Sequence, residues 1–492
     1  MNKKLLLMAL LCVTTLNALN NYTNQTFMFP KEIFGSFGMD QASWHNIVYN
    51  KKSYGFALQG YAYAQSSLAN NTTASEYFLF NDLESLVVQS GTGAPYDEES
   101  FTRNILGAWL GIKDDNPITA SYSLTPQQSQ YGITLGFNQD LSKFCDMGFL
   151  RALSFGFSVP IVHVKNQLVY QGSPEILTAL NGGYNDNFNP ALSEPWEYLH
   201  INGDVQQETK VAALKFQFDT KYQSEDDIQI ATTTFVIFPG AASVNNETIF
   251  QPMIGYNGHV AMGSGITFQF PLSVSQDELS RICMYFGLEN KYLFGNNQNR
   301  TIEIYQNPYS RYLPIYDRYT DSLVPGVNVF TRNCDVEAYN IINFIAGFRL
   351  KFKESVAEIG YELWGKDTEQ LTINADNLWP DNRYGIANIN GNCELDPTVQ
   401  TASKSTINYI VPDPVLPSPA TTSNVYIRAK DLTMLSGAGR AALINRVYGS
   451  IGYGHSNDYI DLFLNLGLFM EVCQNNAAVS NWGGWLKTGF TF

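Results

Sequence analysis

Long stretches of this chain alternate strictly between two kinds of side chain, and that period of two constrains the fold more than any other feature. Over residues 259–272, one face collects Val260, Met262, Ser264, Ile266, Phe268, Phe270 and Leu272. The other holds His259, Ala261, Gly263, Gly265, Thr267, Gln269 and Pro271. Over 460–470, Ile460, Leu462, Leu464, Leu466, Leu468 and Met470 oppose Asp461, Phe463, Asn465, Gly467 and Phe469. A helix mixes such positions around its circumference, whereas a strand sends them to opposite faces. Leu214, Phe216 and Phe218 against Lys215, Gln217 and Asp219 repeat the pattern. So do Ile342, Phe344, Ala346, Phe348, Leu350 and Phe352 against Gly347, Arg349 and Lys351.

No run of about eighteen apolar residues follows the N-terminal segment, so no spanning helix is expected. Charged residues make up 15% of the chain, with 29 Tyr, 31 Phe and 38 Gly. That is well below the roughly one quarter charged of soluble proteins, and it suits strands with one face in lipid and one in a polar lumen. A net charge of -15 argues against nucleic acid as a partner, since a polyanion needs a basic footprint.

The domain plan follows. Residues 1–18 read as an export signal, with Lys3 and Lys4 before an apolar stretch from Leu5 to Val13 and cleavage after Ala18. A lipoprotein signal at Cys12 is disfavoured by the bulky Leu11. Residues 19–53 form a periplasmic or lumenal segment that lies in the lumen, extends into the periplasm, or adds a strand pair. Residues 54–492 form one all-β, antiparallel transmembrane β-barrel of about fourteen strands, within a range of about 12–16. The strands fall near 54–66, 102–112, 117–124, 130–138, 151–165, 210–222, 228–239, 259–272, 282–297, 340–352, 357–366, 442–455, 459–473 and 480–492. Short periplasmic turns are expected at 455–458, 353–356, 273–281, 223–227, 139–150 and 112–116. Long external loops are expected at 367–440, 298–339, 166–209 and 67–101.

The last strand, Asn481 to Phe492, resembles the C-terminal strand that bacterial outer-membrane barrels present to their assembly machinery. Trp482, Leu486, Phe490 and Phe492 share the face that carries the resemblance, interrupted by Gly484 and Thr488. The resemblance implies an outer-membrane location, with lipid, lipopolysaccharide and the assembly machinery as partners. In size the chain is similar to the long-chain fatty-acid transporter family, but that family's Asn-Pro-Ala signature is absent from the mature N-terminus. Asn189-Pro190-Ala191 falls in an expected external loop.

Charges that cannot face lipid mark the lumen: Lys215, Asp219, Arg349, Lys351, Glu358, Glu362 and Arg446. A tight turn at 353–356 is expected to set Lys351 opposite Glu358, with Arg349 and Glu362 nearby. They line a pore or form cross-strand ion pairs, and both roles are compatible. The cysteines left after the signal are Cys145, Cys283, Cys334, Cys393 and Cys473, without metal spacing. Cys145 and Cys283 are expected at the periplasmic rim and the other three toward the outside. His455-Ser456-Asn457 invites comparison with outer-membrane phospholipases, but adjacent residues do not converge as nucleophile and base, and a turn is the better reading. Ser436-Gly437-Ala438-Gly439-Arg440 lacks the ending of a phosphate loop. The expectation is a porin-like channel for small solutes, with no catalysis, cofactor or metal. The alternatives are a barrel that anchors interaction loops, a transporter of hydrophobic compounds, or an outer-membrane enzyme. A homo-oligomer stays open.

Overall fold

The computed structural model describes residues 24–41, 55–68, 72–80, 83–91, 103–113, 115, 117–141, 152–182, 192–224, 228–274, 280–305, 307–387, 423–457 and 459–492. The expected signal peptide, Cys145, Cys393 and the whole Pro-rich 388–422 stretch lie outside them. Fifteen strands belong to one sheet, and three of these, Leu86–Gln89, Ile105–Leu106 and Val205–Val211, hang on its margin, leaving twelve in the cylinder. In chain order these are β1 (Phe56–Ser67), β2 (Thr119–Asp140), β3 (Ala152–Gln171), β4 (Ala213–Gln223), β5 (Gln229–Pro239) and β6 (Ala261–Val274). They continue with β7 (Ser280–Leu293), β8 (Tyr339–Phe352), β9 (Ser355–Lys366), β10 (Ala442–Ser456), β11 (Asp461–Cys473) and β12 (Asn481–Thr491).

Each strand pairs antiparallel with the next, and β12 returns to β1 in unbroken register from Ala57↔Thr491 to Ser67↔Asn481. Closure removes every sheet edge within the barrel wall, as a hydrocarbon setting requires. The alternation read from the sequence maps onto the two faces. On β11, Leu462, Leu464, Leu466, Leu468 and Met470 are exposed outward, and Phe463, Asn465, Phe469 and Glu471 are buried inward. Where the inner wall must accept a flat ring, a glycine makes room. A Cβ on Gly467 would come within 2.1 Å of the Trp485 indole, whose Nε1 donates to Asn465 Oδ1 at 2.7 Å.

Twelve strands is the lower end of the expected range, and the difference from fourteen has two causes. The segments 117–124 and 130–138 are one 22-residue strand, β2, that runs through Pro126. The described part of the expected strand 102–112, residues 103–112, supplies only the short Ile105–Leu106 strand and a buried 3₁₀ turn, Gly107–Leu110. The expected periplasmic turn at 112–116 therefore precedes the external end of β2. Both β2 and the 20-residue β3 far exceed the roughly 9–11 residues that cross a bilayer, so their paired upper halves project beyond it.

The external loops fold into a cap over this end. Asn296–Thr301, Thr331–Glu337 and Gln370–Ile373 form one sheet, and Ser322–Pro325, Pro314–Asp317, Tyr384–Ala387 and Ser423–Tyr426 form another. The cap buries Tyr309, Tyr312, Phe330, Arg300 and Arg311. Of the cysteines, Cys283 lies near the periplasmic end of β7, Cys334 is buried in the cap and Cys473 ends β11 externally, all three as free thiols.

Candidate functional site in the barrel lumen

Residues 24–41 run through the cylinder. At the outer end, the Asn24 and Gln25 amides donate to the Leu79 and Tyr77 carbonyls, and the Thr26 amide to that of Ser436, all within the cap. Lower down, Lys31 Nζ lies 3.2 Å from Glu471 of β11 and 3.5 Å from Glu362 of β9. The Ile33 amide donates to Gln130 of β2 at 3.2 Å, and Lys291 of β7 donates to the Gly35 carbonyl at 3.0 Å. Ser36 Oγ donates to Glu362 at 2.8 Å, and Lys487 of β12 to the Asp40 carbonyl at 2.8 Å. The Tyr61 hydroxyl of β1 donates to Asp40 at 2.9 Å and Arg446 of β10 donates to Ser36 Oγ, so partners on β1, β2, β7, β9, β10, β11 and β12 surround residues 24–41 inside the barrel.

Its fit to the wall depends on small residues. A Cβ on Gly38 would meet Glu362 Oε2 and Tyr448 Cε1, each at 2.9 Å, and one on Gly35 would meet the Tyr256 hydroxyl at 2.7 Å. Aromatic residues fill the intervening turns. Phe27 lies 3.3 Å beneath the Arg300 guanidinium, and Phe34 packs edge-on against Tyr256.

Two levels of charge ring the segment. At the upper one, the register aligns Glu362, Arg446, Glu471 and Asn481 across β9 to β12. Arg446 reaches Glu471 at 2.8 Å and Glu362 at 3.4 Å, so with Lys31 the cluster holds two carboxylates and two cations. At the lower one, Arg349 pairs with Glu358 and also donates to Gln269. Here the structure shifts the expected pairing. Phe352 faces Ser355 across a two-residue connection, Lys353-Glu354, so Arg349 rather than Lys351 sits opposite Glu358. Lys351 falls opposite Val356 at the exposed periplasmic rim.

The other lumen candidates gather elsewhere. Lys215 and Asp219 of β4 line a cavity of ≈ 170 Å³ between the inserted segment and the wall formed by β1 to β7. Asp219 is buried and accepts from Gln217 at 2.8 Å and Asn138 at 3.4 Å. Trp482 and Leu486 face outward and are exposed, while Phe492 exchanges backbone hydrogen bonds with Phe56 and stacks on its ring at 5.3 Å. His455 and Ser456 are the last paired residues of β10, opposite Leu462 and Asp461, and the turn begins only at Asn457, whose side chain accepts from the Tyr459 and Ile460 amides at 2.8 Å. The segment 24–41 was the functional element hardest to read in advance. Its apolar residues have no period, and the only signal was Lys31, Glu32 and Asp40 interspersed among aromatics.

Outside the wall, burial decides at one group and hydrogen bonding at another. Burial pushes the Cys334 thiol up to about 11. Burial also raises the Asp317 carboxyl, but hydrogen bonds from Arg383 and the Tyr319 amide outweigh it and hold Asp317 below the ordinary carboxylate value.

No protein-family model matches the chain, and no curated protein does. Among solved structures it is similar to an outer membrane channel from Pseudomonas putida F1, at 8% identity over 88% of this chain and 94% of that one, TM-score 0.38. It is also similar to the transport unit of the autotransporter AIDA-I from Escherichia coli, at 8% identity over 90% and 92%, TM-score 0.35. A FadL homologue from Pseudomonas aeruginosa shares 8% identity over 96% and 98%, TM-score 0.27. At such scores the likenesses carry no argument, and the class rests on the molecule itself. A closed antiparallel cylinder with an apolar exterior and a charged, hydrogen-bonded interior is the architecture of an outer-membrane β-barrel.

Proposed function

We propose that the protein is an outer-membrane channel for small polar solutes whose lumen is closed at rest by residues 24–41. The observation that carries this reading is the way the segment is held. It is bound to the wall by side-chain hydrogen bonds and ion pairs from separate strands, contacts that can be exchanged for water without opening the barrel. The polar wall behind it is a path only when it moves, so the open porin read from alternation becomes a gated one. We propose no chemical step.

Conductance in planar bilayers tests this. Wild-type protein is expected to open rarely, and a Gly38→Val variant, which overpacks the contact with Glu362 and Tyr448, to open more often. A folded barrel silent in both forms, and silent when residues 24–41 are deleted, overturns the channel. One observation favours a second reading, a surface interaction protein: the cap has its own buried core rather than loose loops.

A further inference from the structure

The lumen cavity beside the inserted segment has a chemical character that the two ion-pair levels lack. Around it the acids Asp40, Asp219 and Glu289 are matched by Lys215, Lys291 and Lys487, so the formal charges cancel. Lys291 is already paired with Glu289 at 2.9 Å, and Lys487 is committed to the Asp40 carbonyl. Lys215 is not. Among the described residues its ammonium makes no hydrogen bond or close ion pair; it lies 4.6 Å above the Phe235 ring, and the Asp40 and Asp219 carboxylates attract it from a greater distance.

Across the cavity are acceptors in the same condition. Gln59 Oε1 and Asn138 Oδ1 are buried and receive no donor, and Asn138 adjoins the Asp219 carboxylate. Lys215 and Asp219 share a face of β4 four residues apart, about 13 Å along the strand at ~3.3 Å per residue. The cavity therefore offers a cation without a close partner and, farther along the same strand, unpaired acceptors beside the Asp219 carboxylate. Phe37 of the inserted segment adds apolar surface to the lining.

We infer that this cavity is a binding site for a small zwitterion of amino-acid to dipeptide size. Its carboxylate meets Lys215 and its ammonium meets Asp219, Asn138 and Gln59. A simple anion would satisfy only the lysine, a simple cation only the acceptors, and a neutral sugar would gain nothing from the opposed charges. The inference deepens the channel reading by naming the solute class, and it rests on that reading only for the solute's route to the cavity.

Equilibrium dialysis of the full-length protein in detergent tests it, with the dipeptide glycyl-leucine, acetate, tetramethylammonium and maltose as probes. Glycyl-leucine is expected to bind at least about tenfold more tightly than the other three, the discrimination of one charge-assisted contact. Lys215→Gln and Asp219→Asn should each weaken it about tenfold, and Lys351→Gln at the rim should leave it unchanged. Heat-modifiable mobility on gels shows that each variant is folded. If Asp219→Asn fails to fold, the half-exposed Lys215 decides alone. Binding of maltose as tight as that of glycyl-leucine, unchanged binding in Lys215→Gln, or no binding of any probe overturns the assignment. Binding without conductance would instead overturn the channel and leave the site standing, while conductance without binding does the reverse.

Discussion

Lys31→Met should open the lumen without unfolding the barrel. The ammonium it removes stands 3.2 Å from Glu471 and 3.5 Å from Glu362, and both carboxylates are also served by Arg446. At an effective dielectric constant of about 20, a single contact near 3.3 Å is worth roughly 5 kcal/mol before desolvation is subtracted. Breaking a buried pair from one side costs about 3–5 kcal/mol, because the remaining charge is left uncompensated. In the variant two carboxylates share one guanidinium. Since Lys31 belongs to the inserted segment and not to the hydrogen-bonded wall, we expect about 3 kcal/mol of that cost to fall on the seated state, raising open probability roughly a hundredfold. Single-channel recording reads the change directly. A second substitution, Glu471→Gln, removes the excess negative charge and should restore part of the closure. Unchanged conductance in a folded Lys31→Met barrel would refute the reasoning, as would a double variant more open than the single one.

Three further outcomes are expected. The Cys334 thiol, pushed up to about 11 and buried in the cap, should resist iodoacetamide at neutral pH in the native protein and react once it is unfolded. Because the Asp317 carboxyl is held below its ordinary value, its pairing with Arg383 stabilises the cap above about pH 4 and is lost as pH falls through the depressed value. Hydrogen exchange of residues 314–325, corrected for its intrinsic pH dependence, should therefore rise in acid by no more than about 1 kcal/mol in wild type and show no such step in Asp317→Asn. Replacing Phe492 with Asp should lower the folded fraction in the outer membrane and raise the protease-sensitive periplasmic fraction, whereas Phe330→Ala in the cap should leave the assembled barrel in the membrane; normal membrane levels of the Phe492 variant would count against an assembly role for this strand.

The wall was legible because lipid enforces its pattern. Every second residue of β11 must be apolar, and Leu462 through Met470 comply. The same rule fails where a strand leaves the membrane. Around Pro126, Gln127 and Gln128, the polar sequence reads as a turn, yet these residues extend β2 beside β3, with Pro126 opposite Leu168. On its other side β2 pairs with β1 only up to Ser129 and with Leu86–Gln89 only near its start, so the missing proline N–H interrupts no ladder there. The lumen charges were legible as a set because charge avoids lipid, but not as pairs. The number of residues in the Lys353-Glu354 connection decides whether Arg349 or Lys351 meets Glu358, and turn length is only loosely encoded. The inserted segment was the least legible of all, since its contacts come from seven strands distant in sequence.

That segment and the wall that holds it draw on different sources of stability, and the proposed gating depends on the difference. The wall is a continuous ladder of backbone hydrogen bonds with an apolar exterior, neither of which the lumen side chains supply. The lumen clusters are buried ion pairs, whose attraction is largely offset by the desolvation of their members. Such pairs fix position more than they add stability. When the segment leaves, Glu362, Arg446 and Glu471 keep one another as partners and regain water, so the unseated lumen is not left with bare charge. A segment held by apolar packing alone would expose Phe27, Phe29, Phe34 and Phe37 to the same water with no compensating contact. The mixture of four phenylalanines and one doubly paired lysine therefore sets the balance between closed and open, and Lys31 is the member whose removal shifts it while leaving the barrel intact.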